Sequence, residues 1–454
     1  MPRHGSLRGK LLPSRWLRRP LGCFFFCFLL IQMVGATAAT ALTVEQIESS
    51  KGIKAWLVEE HSVPLVAVRF AFAGGALQDP PGKEGLTSMV AALLMEGAGP
   101  LSGEAFKERL SLLGARLSAE SGRDAIYGSL ETLTDRLQPS AELLRLMLMS
   151  PHFSAADVDR VKAQRLTDLA VAANNPTTIA IERWYAEVFP RHPYGRVVDG
   201  TKESIPKLTP QDLKQLHGRV FGKDVLKVVV VGDIDKRAAS ELLDAVFGEL
   251  PGKAQLTPIA KVEPRSLPAP IVVERDFPLA TAIFGLPSLP VNHPDYAALK
   301  VLNQVIGSGD FDSRLMDEIR VKRGLAYAIQ SRLENDSVAA LVLGTFATKN
   351  ENMRPALGVI NDVLVRTARE GPTPAEFENA KRFLTGSFLL DFDTSGKVAG
   401  SLLSIWLDGE GPEALVSRGQ RIKNVSLPEV KRVAAEVLKA DRLMVTVVGK
   451  PPAP

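Results

Sequence analysis

Leu226-Lys-Val-Val-Val-Val-Gly232, in the middle of the chain, returns near its end as Leu443-Met-Val-Thr-Val-Val-Gly449. Each is a short apolar run closed by glycine, the pattern of a buried strand with a turn behind it. The same neighbours stand upstream of both. Leu208-Thr-Pro-Gln-Asp-Leu213 and Val425-Ser-Leu-Pro-Glu-Val430 each place a hydroxyl residue ahead of a first turn that holds a proline and an acid, which is how a capped helix begins. Further upstream, Phe153-Ser-Ala-Ala-Asp-Val158 matches Pro372-Thr-Pro-Ala-Glu-Phe377. Each opens a long amphipathic helix, with Lys162 or Lys381 at the corresponding place. The three matches keep their order at separations of 217 to 219 residues. The chain therefore reads as two copies of one domain.

Between the copies stands PGKAQLTPIAKVEPRSLPAP, with prolines at 251, 258, 264, 268 and 270. Proline at that density disfavours helix and interior strand, so residues 251–270 are expected to form a linker. The copies then cover residues 42–250 and 271–454. In each, strands come first, helices follow and a last strand closes the unit. That order predicts an α+β fold of two homologous domains, each a mainly antiparallel sheet with helices packed on one face.

Composition sets wider bounds. Of 454 residues, 45% are hydrophobic and 23% charged, an ordinary globular balance with room for two or three domains. The formal charge of +4 comes from the N-terminus, where six basic residues and no acid precede residue 42. Without those six, 49 basic residues face 51 acidic ones. Nothing in that balance calls for nucleic acid or an anionic membrane as partner. The basic start, the apolar run from Leu21 to Val34 and the stretch GATAATA read as a secretory signal peptide over residues 1–41, with Ala36-x-Ala38 or Ala39-x-Ala41 as cleavage motif. The alternative is a membrane anchor, for which the run is short against the roughly 20 residues a span needs. A periplasmic or secreted protein is expected, or else one anchored to the inner membrane. The only cysteines, Cys23 and Cys27, lie inside that segment, so the mature chain would hold neither disulfides nor thiolate metal sites.

Three further stretches carry a resemblance. They are Ala73-Gly-Gly-Ala-Leu-Gln-Asp-Pro-Pro-Gly-Lys-Glu-Gly-Leu86 leading into TSMVAALLMEGAG, then Phe189-Pro-Arg-His-Pro-Tyr-Gly-Arg196 with Asp199-Gly-Thr-Lys-Glu-Ser-Ile205, and finally Gly307-Ser-Gly309, Ser313-Arg-Leu-Met-Asp-Glu-Ile-Arg320 and Arg323-Gly-Leu-Ala-Tyr327. In this order on a duplicated domain, they resemble the pitrilysin/insulinase and mitochondrial-processing-peptidase superfamily of zinc peptidases, from residue 42 to the end. The resemblance implies two homologous domains per chain, with two chains or one fused chain enclosing a chamber. A peptide there adds as a strand to a sheet edge. Val68-Arg-Phe-Ala-Phe-Ala-Gly-Gly75 is similar to the family's edge strand, so Phe72, Ala73 and Gly74 are its implied substrate contacts. Gly307 and Gly309 resemble its glycine-rich loop, though a bare turn accounts for them as well.

The family's zinc sits on an H-x-x-E-H helix directly after Gly-Leu. Two histidines at i and i+4 share a helix face and reach one ion, and the glutamate activates water. Here those positions are Ser88, Ala91 and Ala92, and the distal acidic ligand corresponds to Asp168. One carboxylate cannot hold a catalytic zinc that takes about three protein ligands. Of the six histidines (His4, His61, His152, His192, His217 and His293), no two are spaced for one helix face, and His192 is expected to shape its loop. This chain is therefore expected to bind no metal.

The second half of active family members supplies an arginine and a tyrosine seven residues apart, which grip the substrate backbone and stabilise the oxyanion. Arg320 and Tyr327 match that motif. Without the resemblance, Arg320 could equally pair with Asp317, and Tyr327 could fill a half-buried strand face. Some bacterial members of the family divide the labour between a chain with H-x-x-E-H and a partner with the Arg/Tyr pair. This chain resembles the second kind. That implies a homologous, zinc-bearing H-x-x-E-H subunit as partner and peptides as substrate. The other reading is a non-catalytic peptide-binding or scaffold protein of the same fold.

Overall fold

In the computed structural model, residues 43–308, 312–386 and 392–452 are described. The expected signal peptide lies outside them, as does Gly309. No helix among the described residues is long and apolar enough to cross a membrane.

The first half contributes β1 (Glu45–Glu48), β2 (Lys54–Glu59) and β3 (Leu65–Ala73). A short ribbon follows, β4 (Gly97–Ala98) with β5 (Leu101–Ser102), then β6 (Arg116–Ser121), β7 (Ala125–Leu133) and β8 (Leu226–Gly232). The second half supplies β9 (Ile271–Glu274), β10 (Leu279–Pro287), β11 (Ala326–Asn335), β12 (Ala340–Lys349) and β13 (Met444–Gly449). Two sheets result, ordered β1-β2-β8-β3-β7-β6 and β11-β12-β10-β13-β9. Each has one parallel pair, β2 with β8 and β13 with β9, and is antiparallel elsewhere. The two apolar runs that revealed the repeat are β8 and β13, interior strands of equivalent sheets.

The duplication extends into packing. Phe70 faces Gly128 across β3 and β7, and Phe284 faces Gly344 across β10 and β12. A Cβ on either glycine would stand 2.0 Å from the ring's Cζ, so each aromatic ring lies where only glycine leaves room. The capping boxes are also paired. Thr209 with Asp212 starts the helix Pro210–Val220, and Ser426 with Glu429 starts Leu427–Val437. Lys162 and Lys381 perform the same task in each half, donating to Pro206 O at 3.3 Å and to Lys423 O and Val425 O at 2.8 Å. Each lysine thus ties its long helix to the chain just ahead of the next capped helix.

The expected packing on one face holds for each half's own helices. Val66, Val68, Phe70 and Phe72 point into one core with them, as Ala280, Ala282, Phe284 and Leu286 do in the other sheet. The opposite face of each sheet is covered as well, by a helix lent from the other half. Pro176–Val188 lies on β10 and β13, where Trp184 Nε1 donates to Met444 O at 3.0 Å. Ser395–Leu407 lies on β3 and β8, and its Trp406 stacks on Trp56 of β2 with centroids 4.8 Å apart. Residues 251–270 hold no helix or strand, and Gln78 and Arg219 pin them by side-chain bonds to residues 255 and 257.

Candidate functional site

The helix Leu86–Leu93 carries the positions of the missing metal motif. Asp79 holds its start, accepting from the amides of Gly85 and Thr87 at 2.9 Å and from the Thr87 hydroxyl. Burial pushes the Asp79 carboxyl up to about 6 despite those bonds. Ser88 and Ala91 are buried and Ala92 half-buried. Ser88 Oγ donates to Asp199 Oδ1 at 2.8 Å, and Arg165 Nη1 donates to the same oxygen at 3.0 Å. Asp168 stands apart on the exposed side of Ala155–Ala172, where it accepts from Gln164 Nε2 at 2.8 Å. The helix therefore turns Arg165, not Asp168, toward Ser88. One carboxylate beside a guanidinium does not fit a zinc ion. Among the described residues, no three His, Cys, Asp or Glu side chains are grouped to hold a metal.

The substrate-edge expectation needs correction. β3 is interior, paired along its length with β7 on one side and over Val66–Phe72 with β8 on the other. Phe72 is paired on both sides and buried in the core, so it offers no edge to a peptide; Ala73, paired only with Ala125 at the end of β3, lies on the wall of the cavity beside β6, and Gly74 N donates to Asp124 O at 2.7 Å. The edges of this sheet are β1 and β6. Gly307 ends the helix Tyr296–Ile306, and its carbonyl accepts from Ser331 N at 2.7 Å. A Cβ there would come within 2.8 Å of Ser331 Oγ, so Gly307 closes a helix against the edge strand β11. His192 shapes its loop as expected: Nδ1 accepts from Tyr194 N at 3.1 Å and Nε2 donates to Ala260 O at 3.0 Å.

Arg320 and Tyr327 do meet. A single helical turn, Arg314–Met316, is capped by the Ser313 hydroxyl and widens into a π-helical turn over Asp317–Val321. Such turns recur at functional sites. The turn is clamped from within by Glu318, which accepts from Lys322 and Arg366 at 3.0 Å and also from Arg323. Burial alone would raise the Glu318 carboxyl, but these cations outweigh it and hold it at about 2. The chain reverses at Gly324 and enters β11, the outer strand of the second sheet. The apolar and polar residues from Leu325 to Ile329 do not alternate between the two faces there. A bulge between Ala326 and Ile329 breaks the register with β12, leaving both Tyr327 and Ala328 exposed. Tyr327 is 80% exposed, and the Arg320 guanidinium stands 4.2 Å from its ring centroid.

A cavity of about 820 Å3 opens beside β6, walled by β7, the helix Ser395–Leu407 and the turn after β11. There the two equivalent hairpin turns meet. Asp124, from the β6–β7 turn, accepts from Ser337 N at 3.2 Å and from the Ser337 hydroxyl. Asp336 lies beside it with Oδ2 buried and unpartnered among the described residues. Burial first, and then the Asp124 charge, push the Asp336 carboxyl up to about 7.

Asp199, Glu318 and Asp336 were missed in the sequence. The first two stand inside motifs already quoted, but nothing local marks which side chains they bind.

Residues 55–202 match the family model for insulinase, peptidase family M16, and residues 207–384 match that for the peptidase M16 inactive domain. A Helicobacter pylori protein named non-peptidase homolog YmxG is 30% identical over 365 residues, covering 80% of this chain and 84% of the relative. This chain belongs to the M16 family. An uncharacterized zinc protease of Mycobacterium leprae is 27% identical over 397 residues, 84% of this chain and 87% of that one. The crystal structure of an M16 inactive domain from Pseudomonas fluorescens superposes with a TM-score of 0.85 at 26% identity, over 91% of this chain and 98% of that one. A Helicobacter pylori protease shares the fold at a TM-score of 0.82 and 20% identity, over 90% and 99% of the two chains. This protein is an M16 homologue with no group of metal-holding side chains among its described residues, and with Ser88, Ala91 and Ala92 where the resemblance leads one to expect the H-x-x-E-H residues.

Proposed function

We propose that this chain is the zinc-less subunit of a two-chain zinc endopeptidase of the periplasm. It binds extended peptides and presents Arg320 and Tyr327 to a zinc site carried by a homologous H-x-x-E-H subunit. The observation that carries the reading is the Arg320–Tyr327 pair itself. A tyrosine 80% exposed on a bulged edge strand contributes little to the fold, and the cation over its ring limits its motion. Its phenol is then placed to donate to an oxyanion brought from outside, while Arg320 can hold a peptide carbonyl. Water activation belongs to the partner, because Ser88, Ala91 and Ala92 supply neither ligand nor base. The outer strand β6 is the edge to which an extended peptide could add, beside the cavity described above.

The test is peptide hydrolysis after mixing with H-x-x-E-H-bearing M16 homologues. Tyr327→Phe and Arg320→Ala are each expected to lower kcat by about 100-fold or more, the usual cost of losing one oxyanion donor. Hydrolysis that survives both substitutions unchanged removes the assigned roles. Tight peptide binding without hydrolysis in any pairing favours a scaffold of the same fold.

A further inference from the structure

The cavity of about 820 Å3 beside β6 lies on the face of the first sheet that the lent helix Ser395–Leu407 covers in part. Along β6, Leu117 and Ala119 pack on the core while Ser118 and Glu120 line the cavity. Ser118 pairs with Ser129 of β7 and Glu120 with Tyr127, so both strands present one face to it. Because β6 is an outer strand, a peptide added to it would project every second side chain onto that face. Another wall is the turn after β11, and there two acceptors lack donors. Asp336 Oδ2 and Asn335 Oδ1 are buried and bonded to nothing among the described residues. Asn335 Nδ2 donates to the Tyr296 hydroxyl, which leaves its oxygen as the orphan. Unmet buried acceptors cost free energy that a donor on a ligand recovers.

The charges select the kind of donor. Glu120, Asp124, Asp336 and Asp408 line the cavity, and only Asp408 is held by a cation, accepting from Arg418 Nη2 at 2.6 Å. Of the lining cations, Arg69 is bound to Glu131 and Lys227 to the Trp406 carbonyl, which leaves the exposed Lys261. Arg123, next to Asp124 in the chain, stands 3.7 Å from the Tyr185 ring centroid and donates to Tyr194 O at 3.2 Å. Carboxylates therefore outnumber free cations around the two orphaned oxygens, and a charged donor suits them better than a neutral one.

We propose that this cavity takes a lysine or arginine side chain of an extended peptide paired with β6, with Asp336 and Asn335 accepting from its charged nitrogen. The inference rests on the reading that β6 adds a peptide strand, but it concerns this chain alone and needs neither a partner nor hydrolysis. Labelled hexapeptides, acetylated and amidated and differing only in one central residue, are titrated by fluorescence anisotropy against the full chain at pH 8 and low ionic strength. At that pH the Asp336 carboxyl, near 7, is ionised. Central lysine or arginine is expected to bind about tenfold tighter than central glutamine. Asp336→Asn keeps the side chain's shape and is expected to weaken the basic peptide about 3- to 10-fold, with the glutamine peptide unchanged. Glu120→Gln, on an exposed position of β6, is the second variant and should weaken the basic peptide about 2- to 3-fold. Glu104→Gln, an exposed carboxylate outside the cavity, is the control and should change neither peptide. Equal binding of basic and neutral peptides, no binding of either, or a preference that persists in both cavity variants would overturn the proposal. So would a preference that Glu104→Gln reduces as much, or a gain that a free N-terminus gives and the basic side chain does not. Selective binding without hydrolysis in any pairing would sink the proposed function and leave this result standing, whereas hydrolysis without selectivity would do the reverse.

Discussion

Ser88 donates to Asp199 Oδ1 at 2.8 Å, at the position expected from the family resemblance for the first histidine of an H-x-x-E-H motif. Arg165 donates to the same oxygen at 3.0 Å, so a side-chain cation already sits beside the position. Restoring the motif alone, as Ser88→His, Ala91→Glu and Ala92→His, is expected to leave zinc well below one per chain, because Arg165 repels the ion and Asp168 faces away. Adding Arg165→Glu should raise the zinc content. Full occupancy in the triple variant, read by atomic absorption, would show that Arg165 is no obstacle.

Glu318 is nearly buried under three cations in the turn that carries Arg320. Glu318→Gln keeps the shape and removes the charge, which should cost about 2–3 kcal/mol. Its carboxyl lies near 2 in the folded chain against an ordinary 4.5, so its stabilisation is complete above pH 4.5 and is lost as pH falls toward 2. Urea midpoints for wild type and variant should therefore converge in acid. A constant gap from pH 7 to pH 3 would contradict the clamp.

Asp336 carries the opposite sign. Its folded value near 7 lies above the ordinary 3.8, so the folded chain holds an extra proton between those values. Its contribution is complete below about pH 4, falls as pH rises and is gone above 7. Arg123 opposes the shift, and Asp124 adds to it after burial. Asp336→Asn can donate to Asp124 at any pH. It should raise stability by more than about 1 kcal/mol at pH 8 and change little at pH 4. Equal effects at the two pH values would exclude the raised Asp336 carboxyl.

Phe70 with Gly128, and Phe284 with Gly344, show how deep the duplication runs. Gly128→Ala and Gly344→Ala should each destabilise by more than about 2 kcal/mol, since the ring must move off a well-packed site. Thermal melts within error of wild type would mean that the rings shift freely.

The repeat, its capping boxes and its matched lysines were legible because each depends on residues a few positions apart. The status of β3 was not. Val68 to Gly75 resembles the family's edge strand, but only distant β7 and β8 decide whether it has one free side. The lent helices escaped notice for a related reason, since the apolar stripe of Pro176–Val188 does not say which sheet it will cover. The motif around Arg320 and Tyr327 was readable at once. The bulge that exposes the ring was hidden, because Leu325 to Ile329 alternates like a regular strand.

The central claim is that metal and Arg/Tyr pair reside on different chains. The most direct measurement is zinc content together with peptide hydrolysis for this chain, for an H-x-x-E-H-bearing homologue and for their mixture. The account predicts no stoichiometric zinc in this chain, about one zinc in the homologue, and strong hydrolysis only in the mixture. One zinc bound by this chain alone, with hydrolysis abolished by a chelator, would contradict it.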